Sequence, residues 1–126
     1  MGIKKILIVD DDDNFRNLLF MALAEDFDVA FATDGRRGLA LIEEEKPDLI
    51  VCDVMMPNMS GLELLRELSA DEDTRDIPVI VMTGSNFDVS TRQLFKQERN
   101  FRDFIEKMTP LNLIVERVKE LTAGKA

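Results

Sequence analysis

Three acids, a threonine and a lysine are the residues best placed to do chemistry in this sequence: Asp10, Asp11, Asp53, Thr83 and Lys107. Asp10, Asp11, Asp53 and Thr83 follow short apolar runs, and Lys107 follows the run ending at Glu106. Asp10 and Asp11 follow Ile6 to Val9, Asp53 follows Leu49-Ile50-Val51-Cys52, and Thr83 follows the run ending at Met82. Apolar runs of this length, bounded by turn residues, read as strands buried on both faces. An ionised carboxylate is expensive to bury unless it is paired or bound to a cation. Asp53 is therefore expected at the exit of its strand. A lone acid after a strand is most often a turn or cap residue, so the case rests on the set. If the strands are parallel their carboxyl ends share one edge, and the three carboxylates converge there. Such a cluster repels itself, and a hard divalent cation resolves the repulsion. Carboxylate oxygens and water suit Mg2+, which also accepts phosphate oxygens as ligands. Lys107 adds a compact positive charge and Thr83 a hydroxyl donor. A nucleophilic carboxylate, a cation, an ammonium and a hydroxyl together meet the needs of phosphoryl transfer.

The elements that must position these groups alternate regularly. Residues 6–9, 27–32, 49–52, 77–82 and 101–106 read as strands. Phe15, Leu18, Leu19, Ala22 and Leu23 follow helical spacing, which predicts a helix over 14–24. Leu39 and Ile42 belong to a second helix, stopped by Pro47. Leu62, Leu65 and Leu68 mark a third. The stretch 70–76 is a loop, and 84–99 is expected to hold a largely polar fourth helix. Thr109 is the expected N-cap of the last helix, with Pro110 at its first position. That helix carries an apolar stripe of Leu111, Ile114, Val115, Val118 and Leu121, and residues 123–126 are expected to fray. Strand-helix repeated five times implies an α/β fold, a parallel sheet with helices on both faces. Ligands of such sheets bind beyond the carboxyl ends of the strands.

Composition narrows the function classes. The chain has 126 residues, suited to a single domain over 1–126 with no output domain, and a net charge of −9. That charge argues against nucleic acid or an anionic membrane as a partner. Cys52 is the only cysteine, so no internal disulfide forms and a cytoplasmic setting is expected. Cys52 itself reads as an inert core residue. No histidine is present, which excludes a Ser-His-Asp triad and a histidine zinc site. For Asp12 and Asp13 the simpler reading is favoured: acids at a helix N-terminus. The apolar run after Lys4 and Lys5 ends in acids, so neither a signal peptide nor membrane insertion is expected.

The motifs also resemble a known family. Val9-Asp10-Asp11, the pattern Asp53, Met56, Pro57, Met59, Gly61, then Met82-Thr83-Gly84 and Lys107, are similar to the signature of CheY-like response-regulator receiver domains of two-component systems. The resemblance covers essentially the whole chain. It implies a flavodoxin-like, doubly wound five-stranded sheet of order 2-1-3-4-5 with five helices. It implies that Asp53 is the phosphoacceptor, charged by a histidine kinase or a histidine phosphotransfer protein. Asp10, Asp11, Asp53 and the backbone carbonyl of Met55 would hold Mg2+. Thr83 and Lys107 would contact the phosphoryl group. Thr83 and Phe104 would form the switch, reshaping the face from the fourth helix through the fifth strand to the fifth helix for a target protein or output domain. Homodimerisation through that face is left open. Such a protein is not an enzyme beyond its own phosphorylation and dephosphorylation.

The sequence departs from the family at named places. Met108 stands where the family usually has a proline in a cis peptide. Either a cis bond is retained at about 3–4 kcal/mol, or the loop relaxes and moves Lys107. Asn100-Phe101 replaces the usual Gly-Ala; Asn100 can take a left-handed cap position, and Phe101 alters the target face. Met55 and Ser85 occupy the positions at which the family tunes dephosphorylation, and an apolar Met55 predicts a long-lived phosphoryl group. Phe87, Phe95 and Phe101 are candidates for exposed target contacts. Met56 and Met59 are expected to pack beneath the loop. Two rival readings stay open. One is a phosphorylation-independent pseudo-receiver that binds a protein partner. The other is an Asp-nucleophile phosphohydrolase using Asp10 and Asp12, for which the chain is short.

Overall fold

In the computed structural model, which describes residues 2–84 and 87–123, the five apolar runs form one parallel sheet. The strands are β1 (Lys5–Val9), β2 (Asp28–Ala32), β3 (Leu49–Asp53), β4 (Val79–Thr83) and β5 (Phe101–Glu106). The helices are α1 (Asp13–Ala24), α2 (Gly35–Glu45), α3 (Gly61–Ser69), α4 (Val89–Lys96) and α5 (Leu111–Ala123). The strand order is β2-β1-β3-β4-β5. The order reverses beside β1, so the ends of β1 and β3 flank the switch point.

Alternation along the strands divides the core in two. Ile6, Ile8, Leu49, Val51, Ile80 and Met82 pack with Leu19 and Leu23 of α1 and Ile114 and Val118 of α5. Leu7, Val9, Ile50, Cys52, Val79 and Val81 face the other way, onto Ile42, Leu64, Leu65, Leu68 and Phe95 of α2, α3 and α4. Both faces of the central strands are covered. Carboxylates reach water only where those strands end.

Local signals set the helix boundaries. Asp12 caps α1 by accepting from the amides of Asn14 and Phe15, and Asp13 lies in its first turn, as an acidic N-terminus requires. Ser60 and Glu63 close a reciprocal capping box at the start of α3. Gly61 sits so close to the end of β3 that a Cβ there would overlap the Asp53 carbonyl oxygen. Only glycine lets α3 begin that near the strand.

Several expectations need correction. Strands β3 and β4 each run one residue further than the apolar pattern suggested, so Asp53 and Thr83 are their last residues. Strand β4 begins at Val79 rather than 77, because Ile77 is held in a turn by Thr74. Helix α4 fills only part of 84–99. Asp88 caps it, and the chain turns again after Gln97, with Glu98 donating to the Phe95 carbonyl and Phe101 to that of Glu98. Ser85 lies outside the described residues, as do residues 124–126 of the expected frayed tail. Thr109 does not cap α5: the Pro110 carbonyl accepts the first helical bonds, from Leu113 and Ile114. Asn100 is not left-handed; among described non-glycine residues only Lys46 and Asn58 have positive φ. Asn100 is instead fully buried, and its Nδ2 donates to the Leu65 carbonyl at 3.0 Å. The Lys107–Met108 peptide is trans. No helix among the described residues is long and apolar enough to cross a membrane.

Candidate functional site

At the carboxyl edge of the sheet, carboxylate oxygens of Asp10, Asp11 and Asp53 lie within 4.8 Å of one another. Their settings differ. Asp10 is 1% exposed, Asp11 is exposed and Asp53 is half-buried. Asp10 is held from several sides. Its amide donates to the Ala32 carbonyl at 3.1 Å. Its Oδ1 accepts from the Asp12 amide at 2.9 Å and from Lys107 Nζ at 3.2 Å. Its carbonyl accepts from Arg16 Nη1 at 3.1 Å.

Asp10 Oδ2 is the exception. It is buried and accepts no hydrogen bond. Lys107 Nζ stands 3.0 Å away, at ion-pair distance but without hydrogen-bond alignment. A buried carboxylate oxygen with no directed donor is costly, and a cation would satisfy it. All three neighbouring groups are oxygen donors, the type that Mg2+ takes. The residues present therefore fit a hard divalent cation.

Lys107 bridges the pocket. Its Nζ is 3.1 Å from Asp53 Oδ2, and the Phe15 ring lies 5.1 Å beneath it. Replacing proline by Met108 thus leaves the ammonium on Asp53 with a trans peptide. Burial pushes the Asp10 carboxyl above its ordinary range; the Asp12 amide and Lys107 pull it back only in part, and the Asp53 charge adds to the rise. Burial alone would lower Lys107, but its bonds and attraction to Asp10 and Asp53 outweigh this and raise it. Lys107 thus keeps its proton between two carboxylates, while Asp10 stays raised because it is buried. Cys52, one residue before Asp53, is fully buried, and burial pushes its thiol far up, out of reach of thiolate chemistry.

Thr83 ends β4, opposite Glu106, and is fully buried. Its Oγ1 has no hydrogen-bond partner. Its carbonyl accepts from the Lys107 amide at 2.9 Å, which ties the two residues to one rung of the sheet. Met55 lies two residues beyond Asp53 and is 72% exposed. Met59 is buried and Met56 half-buried, both packed on the core, as expected.

Phe104 lies apart from this edge, on β5. Its ring is 4.5 Å from Phe101, 5.1 Å from Phe87 and 5.7 Å from Phe95. Phe95 is fully buried and the other three are half-buried, so none is the exposed contact that the sequence suggested. The Arg92 guanidinium stands 5.0 Å from the ring centres of both Phe87 and Phe104. Neither Arg16 nor Arg92 was singled out from sequence. The i,i+3 spacing of Asp13 and Arg16 was a usable signal; Arg92 has none.

The fold and pocket have relatives. The family model for the response regulator receiver domain matches residues 6–119. The response regulator PleD of Caulobacter vibrioides is 37% identical over 122 residues, which are 96% of this chain and 26% of PleD. Protein PilH of Pseudomonas aeruginosa is 31% identical over 121 residues, 95% of this chain and 98% of PilH. The chain thus spans about a quarter of PleD and nearly all of PilH. Among solved structures, the signal receiver domain of a signal transduction histidine kinase from Syntrophus aciditrophicus is 32% identical, with a TM-score of 0.87, covering 97% of this chain and 92% of that one.

Proposed function

The chain belongs to the response regulator receiver domain family, and from that premise we propose that it is a switch set by phosphorylation of Asp53. Receiver domains are signalling modules rather than conventional enzymes. The observation that carries the reading is the pocket itself: three carboxylates within 4.8 Å, one of them with an orphaned buried oxygen, and Lys107 Nζ 3.1 Å from Asp53. In this reading Asp10, Asp11, Asp53 and the Met55 carbonyl hold Mg2+, which supplies positive charge to the phosphoryl oxygens when bound.

The chain's own groups do the rest. An Asp53 oxygen attacks the phosphorus of a phosphohistidine on a kinase or phosphotransfer partner. The new O–P bond forms as the P–N bond breaks, and the electron pair leaves on the imidazole nitrogen. Lys107 stays protonated and balances charge on Asp53 and the incoming group. The orphaned Thr83 hydroxyl is a donor free to turn toward a phosphoryl oxygen. Such a turn vacates space beside β5, and Phe104 and the α4–β5–α5 face respond, altering what a target protein or output domain meets.

Met55 offers no polar group to orient an attacking water, so the phosphoryl group is long-lived. Met55→Asn shortens the dephosphorylation half-life several-fold; a half-life of seconds unchanged by Met55→Asn would contradict this. The founding test is incubation with Mg2+ and acetyl phosphate, followed by intact mass measurement. Wild type gains one phosphoryl group and Asp53→Asn gains none. An unmodified wild type that also binds no Mg2+ would instead favour a phosphate-independent module.

A further inference from the structure

We propose that Arg16 is a positioning residue for the divalent-cation site, acting through the Asp10 carbonyl. The inference rests on reading Asp10, Asp11 and Asp53 as cation ligands.

Arg16 is 6% exposed on the inner side of α1. Nη1 donates to the Asp10 carbonyl at 3.1 Å and Nη2 to Asp13 Oδ1 at 2.6 Å. The guanidinium lies 4.7 Å over the Phe31 ring on β2. Its Nε is buried with no acceptor. Stability alone does not account for this arrangement. A buried guanidinium with an unfilled donor is expensive, and apolar replacements of buried charges are often neutral or better. An arginine is useful here because its planar fork spans both ends of a turn at once.

That turn is the one that matters. A bond to the Asp10 carbonyl fixes the peptide plane joining Asp10 to Asp11, and with it the direction in which the Asp11 side chain departs. The Ala32 carbonyl holds the Asp10 amide, and the Asp12 amide holds Oδ1. With Arg16 on the carbonyl, Oδ2 is the one oxygen of Asp10 left without a hydrogen bond. Arg16 therefore completes a frame that aims the Asp10 carboxylate and sets the start of Asp11.

Charge and positioning predict opposite signs. A cation near three carboxylates weakens binding of a second cation, so removing the Arg16 charge would by Coulomb's law tighten Mg2+. Removing a positioning group weakens it, on the order of tenfold for an outer partner of a metal ligand. The experiment is a Mg2+ titration followed by amide shifts in 15N spectra, which report folding and affinity together. Arg16→Met raises the Mg2+ dissociation constant about tenfold, and Arg16→Lys, which keeps the charge and one donor, gives a smaller rise. Ile114→Val, which loosens the core between α5 and the sheet but removes no group that bonds to the pocket, leaves the constant unchanged. A folded Arg16→Met with wild-type or tighter binding overturns the proposal, as does an equal weakening in Ile114→Val. If Arg16→Met does not fold, Arg16→Lys decides: wild-type affinity there overturns it. A wild type that does not titrate with Mg2+ overturns the cation reading and this inference with it.

Discussion

The carboxyl edge of the sheet and the aromatic patch on β5 lie on one small sheet but are built on different terms. The edge is a set of charges fixed by backbone. Asp53 and Thr83 are the last residues of their strands, and Asp10 is pinned through its amide, carbonyl and Oδ1. Two buried oxygens there, Asp10 Oδ2 and Thr83 Oγ1, lack hydrogen bonds. The patch is the reverse. Phe87, Phe95, Phe101 and Phe104 satisfy one another by ring contacts of 4.5 to 6.5 Å, and Arg92 covers two of them. Ring contacts have several near-equal arrangements, whereas a carboxylate cluster tolerates few. Under the proposed function the first region would hold the reacting group and the second would change shape.

Four measurements bear on that contrast. The largest effect is expected at the edge: Asp53→Asn abolishes the phosphoryl adduct by intact mass, while Phe104→Leu leaves it in place. Loss of the adduct in Phe104→Leu would mean that the patch takes part in the chemistry. Next, Phe95→Ala lowers unfolding free energy by about 3–5 kcal/mol in a urea titration, because Phe95 is fully buried; Mg2+ affinity of the protein that remains folded is unchanged. Third, the edge responds to pH and the patch does not. The Asp10 carboxyl is raised by burial, so ionising it opposes folding. Its contribution to stability is complete below the ordinary carboxylate pKa and is lost as pH rises through the raised value. Melting temperature in EDTA should show that loss, and Mg2+ should reverse it. Phe104→Leu should leave the profile's shape intact. The smallest effect is Arg92→Ala, which removes a half-buried cation from two rings and lowers stability by about 0.5–1 kcal/mol, read from the urea midpoint.

The same contrast decides what could be read from sequence. That Asp10, Asp11 and Asp53 meet at one edge was legible because a strand buried on both faces cannot carry a carboxylate far past its last apolar residue. Strand β5 was read to the residue as Phe101–Glu106, and the sheet order followed from the resemblance. The patch was not legible. The start of α4 is set locally by the Asp88 cap on the Ser90 amide, a signal that went unread, while its end depends on the turn that buries Asn100, which is settled by tertiary contact. Three phenylalanines that could have faced solvent pack on one another instead. Arg16 was missed for a related reason: composition marks an arginine as a surface residue, and its i,i+3 spacing from Asp13 signals a partner but not the Phe31 ring of β2 that its head lies over.

The rung between the Thr83 carbonyl and the Lys107 amide limits how this molecule can move. Two side chains fastened to one backbone bond share a platform and cannot drift apart while it holds. Their remaining freedom is rotation about their own side-chain bonds, so under the proposed switch a signal leaving this edge would begin as a change of rotamer. In degrees of freedom, the hydroxyl and the ammonium are two hands on a single spindle, and what turns is the wrist.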